Sequence, residues 1–315
     1  MYRKYNNYNI LITNMFLTGG FHARRLWYQS MRNFGGKEKA IVIRLNSVKT
    51  IEKITKSMKM VASAKMNADI RRLESGKSFG INSVDMIFKT DLYMQRKMPN
   101  EPEKPKELLV PVSSDKGLCG SVNSGVARYL RDYIGNDIDR FKIFAIGEKG
   151  ANALIRPFAK IFHDCATQLS YPINYSLSLS LADRISNLAT QSKCDSVVIF
   201  YNEFVNAVTF RIKRLELMSE TRFKQCMKFQ RLYEMERPDA STAVPALYEL
   251  YLSANLYHAQ LQNAASEQSS RMVAMDNASK NAGELVEKLT LEYNKARQQS
   301  ITLELCEIIS GAESI

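Results

Sequence analysis

Two segments with apolar residues three or four positions apart bracket a middle stretch of short apolar runs. The first starts near Lys37 and places Ile41, Leu45, Val48, Ile51, Ile54, Met58 and Val61 on one stripe. That spacing predicts a helix with a narrow coiled-coil seam rather than the broad face of a globular helix. Ala62, Ala64 and Ala68 continue it with small side chains, which let another helix approach closely. The pattern runs past Arg71 and Arg72 toward Met94, weakened at Gly76 and Gly80 by about 1 kcal/mol each relative to alanine. The second segment reads Leu250, Ala254, Tyr257, Leu261, Ala264, Gln268, Met275, Ala278, Ala282, Leu285 and Leu289, with one gap near Arg271 and Met272 and no proline after Pro245. A helix of about 65 to 70 residues extends about 100 Å and cannot bury its stripe alone. The helices at the two ends are therefore expected to pair as an antiparallel two-helix rod.

Between them the period changes. Pro99, Pro102 and Pro105 mark a linker. Apolar runs at 108–112, Phe141–Ile146 and 197–201 read as strands, alternating with helical patterns near Val122–Ile134, Glu148–Ile155 and 179–191. Such alternation signals an α/β layer around a mainly parallel sheet. Residues 208–218 alternate Val, Phe, Ile, Leu and Leu against Thr, Arg, Lys, Arg and Glu, the mark of an edge or antiparallel strand. The expected fold class is α/β: a long antiparallel coiled coil of the N- and C-terminal helices with an inserted Rossmann-like α/β domain. The expected limits are 1–36 outside the fold, 37–98 for the first helix, 106–220 for the α/β domain, 221–240 for a connector and 241–315 for the last helix.

Composition narrows the class. With 24% charged and 45% hydrophobic residues the chain suits a globular protein rather than a disordered one. No run approaches the 18 or so apolar residues of a membrane span, so no direct membrane insertion is expected. The net charge of +12 is partly local, because residues 1–36 hold Arg3, Lys4, Arg24, Arg25 and Arg32 and no acid. The +7 that remains is too modest to make nucleic acid the default partner. The acid-free N-terminus reads as a mitochondrial presequence, with Arg32-Asn33-Phe34-Gly35 resembling a matrix-processing site; a basic arm is the alternative. Cys119, Cys165, Cys194, Cys226 and Cys306 are odd in number and lack metal or disulfide spacing, which points to buried free thiols in a reducing compartment.

The candidate chemistry is thin. The run from Ser113 to Ser121 (SSDKGLCGS) follows a predicted strand and precedes a helix, where a phosphate loop would lie. Its spacing is neither GxGxxG nor GxxxxGKS, so a tight turn using Gly117 and Gly120 is the stronger reading. Cys119 with His163 lacks an identifiable third residue to orient a nucleophile, and no carboxylate pair can be placed in one cleft. No catalytic residue, cofactor or metal site is expected. Lys49, Lys53, Lys56 and Lys59 form a ridge that is either a solvated face or a surface for acidic loops of a partner. Ser266, Ser269, Ser270, Asn277, Ser279 and Asn281, with Met272 and Met275, give the last helix a surface neither apolar nor strongly charged. It is either a mixed solvent face or a rod enclosed on several sides.

Three motifs together resemble the gamma-subunit family of F-type ATP synthases, the central rotor shaft: ITKSMKMVA from Ile54 to Ala62, SDKGLCG from Ser114 to Gly120, and ITxExxExxxGA from Ile301 to Ala312. Asn294-Lys295-Ala296-Arg297-Gln298 also fits, and the similarity runs from about Lys37 to Ala312. Lys116 stands where many members have arginine. The resemblance implies a central-stalk subunit that couples rotation of a membrane c-ring to conformational change in catalytic subunits. The implied partners are three alpha and three beta subunits, small delta- and epsilon-type subunits and the c-ring, at the matrix side of the mitochondrial inner membrane. ATP chemistry would lie in the surrounding subunits. Carried over by motif, Arg297 and Gln298 would meet a loop of a catalytic subunit. Met58 and Lys59 would lie near the base of the catalytic hexamer, and Thr302 and Glu304 would belong to the same coupling region. The alternative class is a mitochondrial coiled-coil scaffold, which needs the seam but not the Gly311-Ala312 signature.

Overall fold

The computed structural model describes residues 21–79, 105–135, 137–220, 223 and 240–313. In chain order these form α1 (Phe21–Phe79), β1 (Glu107–Pro111), α2 (Val122–Ile134), β2 (Phe141–Ile146), α3 (Glu148–Ile155), β3 (Phe162–Ala166), α4 (Tyr175–Gln191), β4 (Ser196–Phe204), β5 (Phe210–Met218) and α5 (Ala240–Glu313). The expected helix beyond Phe79, the linker before Pro105 and nearly all of the 221–240 connector, with Cys226, lie outside the described residues.

The strands form one sheet in the order β3-β2-β1-β4-β5. β1 pairs in parallel with β2 and β4, β3 adds in parallel to β2, and β5 closes the other edge antiparallel to β4. Side chains alternate across the sheet, and each face has its own helical cover. Leu108, Val110, Phe144, Val197 and Ile199 face Leu181 and Ile185 of α4 and Leu252 and Leu256 of α5. Leu109, Phe141, Ile143, Val198 and Phe200 face Val126 and Leu130 of α2 and Leu154 of α3. A parallel sheet buried on both faces explains why β1 and β4 read as continuous apolar runs.

β3 has no counterpart in the sequence reading. Its residues, FHDCA, are half-buried or exposed, because an edge strand covered on one side needs no apolar run. It is held by backbone pairing to residues 143–146 instead. α4 begins at Tyr175 rather than 179, following Asn174 in extended conformation. α1 begins at Phe21, inside the 1–36 stretch placed outside the fold; that stretch carries no proline to stop a helix.

The seam differs from the one expected. Val48, Thr55, Ala62, Asp69 and Gly76, every seventh residue of α1, are buried. Ile51 and Ile54 are each 52% exposed and Val61 is 56% exposed. Thr55 tolerates burial because its Oγ1 donates to the carbonyls of Ile51 and Glu52 at 3.0 and 2.9 Å. The small residues take the close approach and leave the bulky β-branched ones outside. On α5, Met275, Ala282 and Leu289 are buried at the same interval, whereas Leu285 is not.

The chain divides into two compact units, one made of its ends up to Lys56 and from Asn277, the other Ser57–Asp276. In the first, Val48 packs with Ala282 and Leu289, flanked by Leu45 and Val286. In the second, Leu73 packs with Leu261 and Ala265, and Lys59 meets Asp276, so α1 and α5 run antiparallel there. Gly76 is buried where a Cβ would lie 2.6 Å from Leu261 Cδ1. It is thus a site of close helix approach rather than a weakness in α1.

Candidate functional site

In open α/β sheets the ligand crevice lies at the carboxyl ends of the strands, where neighbouring crossovers diverge. Here that point is between β1 and β4, and α5 of the same chain fills it. Asn202 at the end of β4 donates from Nδ2 to Asn263 Oδ1 at 2.8 Å, and its carbonyl accepts from Ser266 Oγ at 2.9 Å. The Phe204 N–H donates to Gln262 Oε1 at 2.9 Å. Ser269 Oγ donates to the Ala207 carbonyl in the β4–β5 turn at 2.8 Å, and Ser270 Oγ to the Cys119 carbonyl in the loop after β1 at 2.7 Å. Arg271 Nη2 reaches the Gly117 carbonyl at 3.3 Å while pairing with Glu267 at 2.5 Å.

The loop after β1 is built for this contact. Gly120 sits at φ +59°, and a Cβ on it would lie 2.6 Å from Ser270 Oγ. Leu118 also takes a left-handed conformation and projects outward. Asp115 accepts from the Glu148 N–H at the start of α3 at 2.9 Å and from Leu169 N–H at 3.1 Å. A carboxylate from within the loop thus takes the helix-terminal position where a phosphate would bind. Cys119 is buried and meets Asn123 Nδ2 at 3.2 Å and Ser114 Oγ at 3.6 Å, whereas His163 is exposed on β3. The tight-turn reading holds, and the turn grips a helix. Cys194 is buried and Cys165 half-buried, but Cys306 is exposed, which corrects the expectation of uniformly buried thiols.

A second tie holds α1. Asp69 is buried and accepts from Tyr171 OH at 3.0 and 3.1 Å and from Arg72 Nη1 at 2.7 Å. Burial pushes its carboxyl above the usual range, opposed by those hydrogen bonds and by the charges of Arg72 and Lys65. Burial likewise raises Glu267, against the opposing pull of Arg271 and with some help from the carboxylates of Asp115 and Asp69.

The residues expected to meet partners stand on two surfaces. Met58 is half-buried, and Lys59 Nζ lies 2.6 Å from Asp276 Oδ1. Arg297, Gln298, Thr302 and Glu304 are all exposed on α5, Thr302 Oγ1 donating to the Gln298 carbonyl at 2.8 Å. The structure brings these four together on about two turns of helix; Met58 and Lys59 belong to the other unit. Near them Leu291, Ile301, Leu305, Ile308 and Ile309 are exposed, Ile308 at 68%. Sequence reasoning missed the gripping residues Asn202, Gln262, Asn263 and Arg271. Its one signal was the break in the heptad at Arg271 and Met272. There α5 has neighbours on more than one side, and a single stripe no longer describes it. Among the described residues there is no His/Cys/Asp/Glu cluster able to hold a metal, and no helix long and apolar enough to cross a membrane.

Comparison with known proteins identifies close relatives. A family model described as ATP synthase matches residues 37–315. The mitochondrial ATP synthase subunit gamma of Drosophila melanogaster is 39% identical over 279 residues, spanning 88% of this chain and 90% of that protein. A chain in the central-stalk and c-ring structure of the Tetrahymena thermophila mitochondrial ATP synthase is 38% identical, with a TM-score of 0.65 over 72% of this chain and 99% of that one. A chain from the Euglena gracilis mitochondrial ATP synthase shares the fold, with a TM-score of 0.73 over 89% of this chain and 95% of that one at 21% identity.

Proposed function

Because this chain belongs to the gamma family of ATP synthase, we propose that it is the rotor of the central stalk in a mitochondrial F-type enzyme. It couples rotation of a membrane c-ring to conformational change in three catalytic beta subunits alternating with three alpha subunits, with small delta- and epsilon-type subunits beside it. The chain does no catalysis itself; ATP is made or hydrolysed in the subunits around it. It sits on the matrix side of the inner membrane, and residues 1–36 act as its presequence.

The observation that carries this reading beyond family membership is the end of α5. Leu291, Ile301, Leu305, Ile308 and Ile309 are exposed on a helix that also presents Arg297, Gln298, Thr302 and Glu304. Apolar side chains in that density on one helix end call for an enclosing partner. The polar groups among them supply an asymmetric surface. Each orientation of such a surface favours a different conformation of the enclosing sites, which is differential binding used as a switch. Met58 and Lys59 offer a separate coupling surface on α1, in the other unit.

Replacing Arg297 and Gln298 by alanine in the purified complex tests the reading. ATP turnover is expected to fall while subunit composition stays intact. Unchanged turnover in an assembled complex carrying both replacements overturns it. Recovery of the chain without a three-fold ATPase would favour the scaffold alternative.

A further inference from the structure

We propose, resting on the rotor reading above, that torque crosses between the α/β domain and the two-helix rod at two ties. One joins Tyr171 to Asp69 on α1; the other holds the Ser266–Arg271 turn of α5 in the strand-end crevice. Both lie within the compact unit Ser57–Asp276. Arg271 and Asp69 are the positioning residues.

Apolar packing alone resists separation well and sliding poorly, since one methyl contact replaces another at little cost. Hydrogen bonds are directional and resist rotation. Turning α5 by one residue about its axis swings its donors by about 100°. Such a turn would break the Ser266, Ser269 and Ser270 bonds together, because they go to carbonyls at three separate places: Asn202 in β4, Ala207 in the β4–β5 turn and Cys119 in the loop after β1. Arg271 adds a fourth contact, to the Gly117 carbonyl in the loop after β1, and is itself held by Glu267 and Gln268. The sheet behind the loops is buried on both faces and gives them a rigid base.

The tie on α1 has the same character. Tyr171 reaches Asp69 from the segment between β3 and α4, and Lys65 and Arg72 lie over its ring at 5.1 and 5.5 Å. A load on the domain therefore enters both helices. With only one helix held, it would shear the seam, where Ala62 carries only a methyl and Gly76 no side chain, so that little resists sliding. The crevice that serves ligands in other α/β proteins serves here as the socket of a shaft.

The test uses the membrane-embedded complex and three variants: Tyr171→Phe and Ser270→Ala, which each remove one hydroxyl, and Arg271→Gln, which also removes the charge beside the buried Glu267 carboxylate. Proton pumping into vesicles per ATP hydrolysed is measured beside hydrolysis by the detached soluble sector. With Tyr171→Phe and Arg271→Gln combined, the pumping ratio is expected to fall about threefold or more, the factor that one lost net hydrogen bond imposes on a gripping equilibrium. Hydrolysis by the detached sector, which works against no load, falls far less. Introducing Ala207→Cys and Ser269→Cys into the weakened background and oxidising the pair with diamide should restore the ratio, and reduction should lower it again. A lost contact that only stabilised the fold would not respond in this way. An unchanged ratio, a proportional fall in both activities, or failure of Tyr171→Phe alone to assemble each overturns the proposal. A wild-type complex that contains this chain and pumps no protons on ATP would instead overturn the rotor reading.

Discussion

Ser270 donates its hydroxyl to the Cys119 carbonyl at 2.7 Å, and the next residue, Gly120, leaves room for that hydroxyl where any other side chain would begin. Gly120→Ala meets two costs: a left-handed backbone at φ +59° and a Cβ 2.6 Å from Ser270 Oγ. The backbone cost alone is about 1–2 kcal/mol. The midpoint of thermal inactivation should drop by several degrees. Adding Ser270→Ala removes the clash but not the strain, so the double variant should lose less than the two singles summed. Strict additivity would show that the two residues do not meet.

How much of this was legible depended on whether one stripe or one period described the residue. The sheet was, because β1 and β4 are buried on both faces and leave continuous apolar runs. β3 was not, because an edge strand held by its backbone carries no side-chain signal. The seam was half legible. Its heptad interval is real, but Thr55 and Asp69 are buried through hydrogen bonds rather than apolarity, and Ile51 and Ile54 are exposed despite theirs. Gly76 read as a weak point in the helix because Leu261, which fills the space a Cβ there would take, lies 185 positions away in sequence. The strand-end grip was least legible, since serine and amide side chains have no periodicity that reveals which distant carbonyl they meet.

Lys59 and Asp276 form an ion pair with side chains 43% and 30% exposed. Pairs in such settings contribute on the order of 0.2–1 kcal/mol. Lys59→Ala should therefore leave the urea midpoint of the chain nearly unchanged. Any larger effect of that variant on coupled ATP synthesis is then a partner contact, as the proposed coupling surface requires. A large stability loss would assign Lys59 to the rod instead.

Asp69 has a carboxyl pKa raised above its ordinary value mainly by burial. The folded state therefore binds this proton more tightly than the unfolded state. The associated stability is fully present below the ordinary carboxylate pKa and is lost as pH rises through the raised folded value. Glu267 acts in the same direction. Asp69→Asn should flatten the dependence of unfolding free energy on pH across that window. The measurement is a series of urea midpoints in acidic to neutral buffers, wild type against variant. Parallel curves would mean that Asp69 does not titrate differently on folding.

The cysteines test enclosure directly. Cys306 lies exposed on α5 between Leu305 and Ile308, among the apolar side chains expected to face partners. Cys194 is buried beneath the sheet, and burial pushes its thiol up to about 11. At pH 8 that leaves about one thousandth of it as the reactive thiolate, before access is considered. Maleimide labelling followed by peptide mapping should therefore mark Cys306 readily in the separated chain and Cys194 only after denaturation. In the assembled complex, Cys306 should be protected as well, and dissociating the complex should restore its reactivity. Equal labelling of Cys306 in the free and assembled states would mean that this end of α5 stays in solvent. Its exposed isoleucines would then need an occupant other than a surrounding ring of subunits.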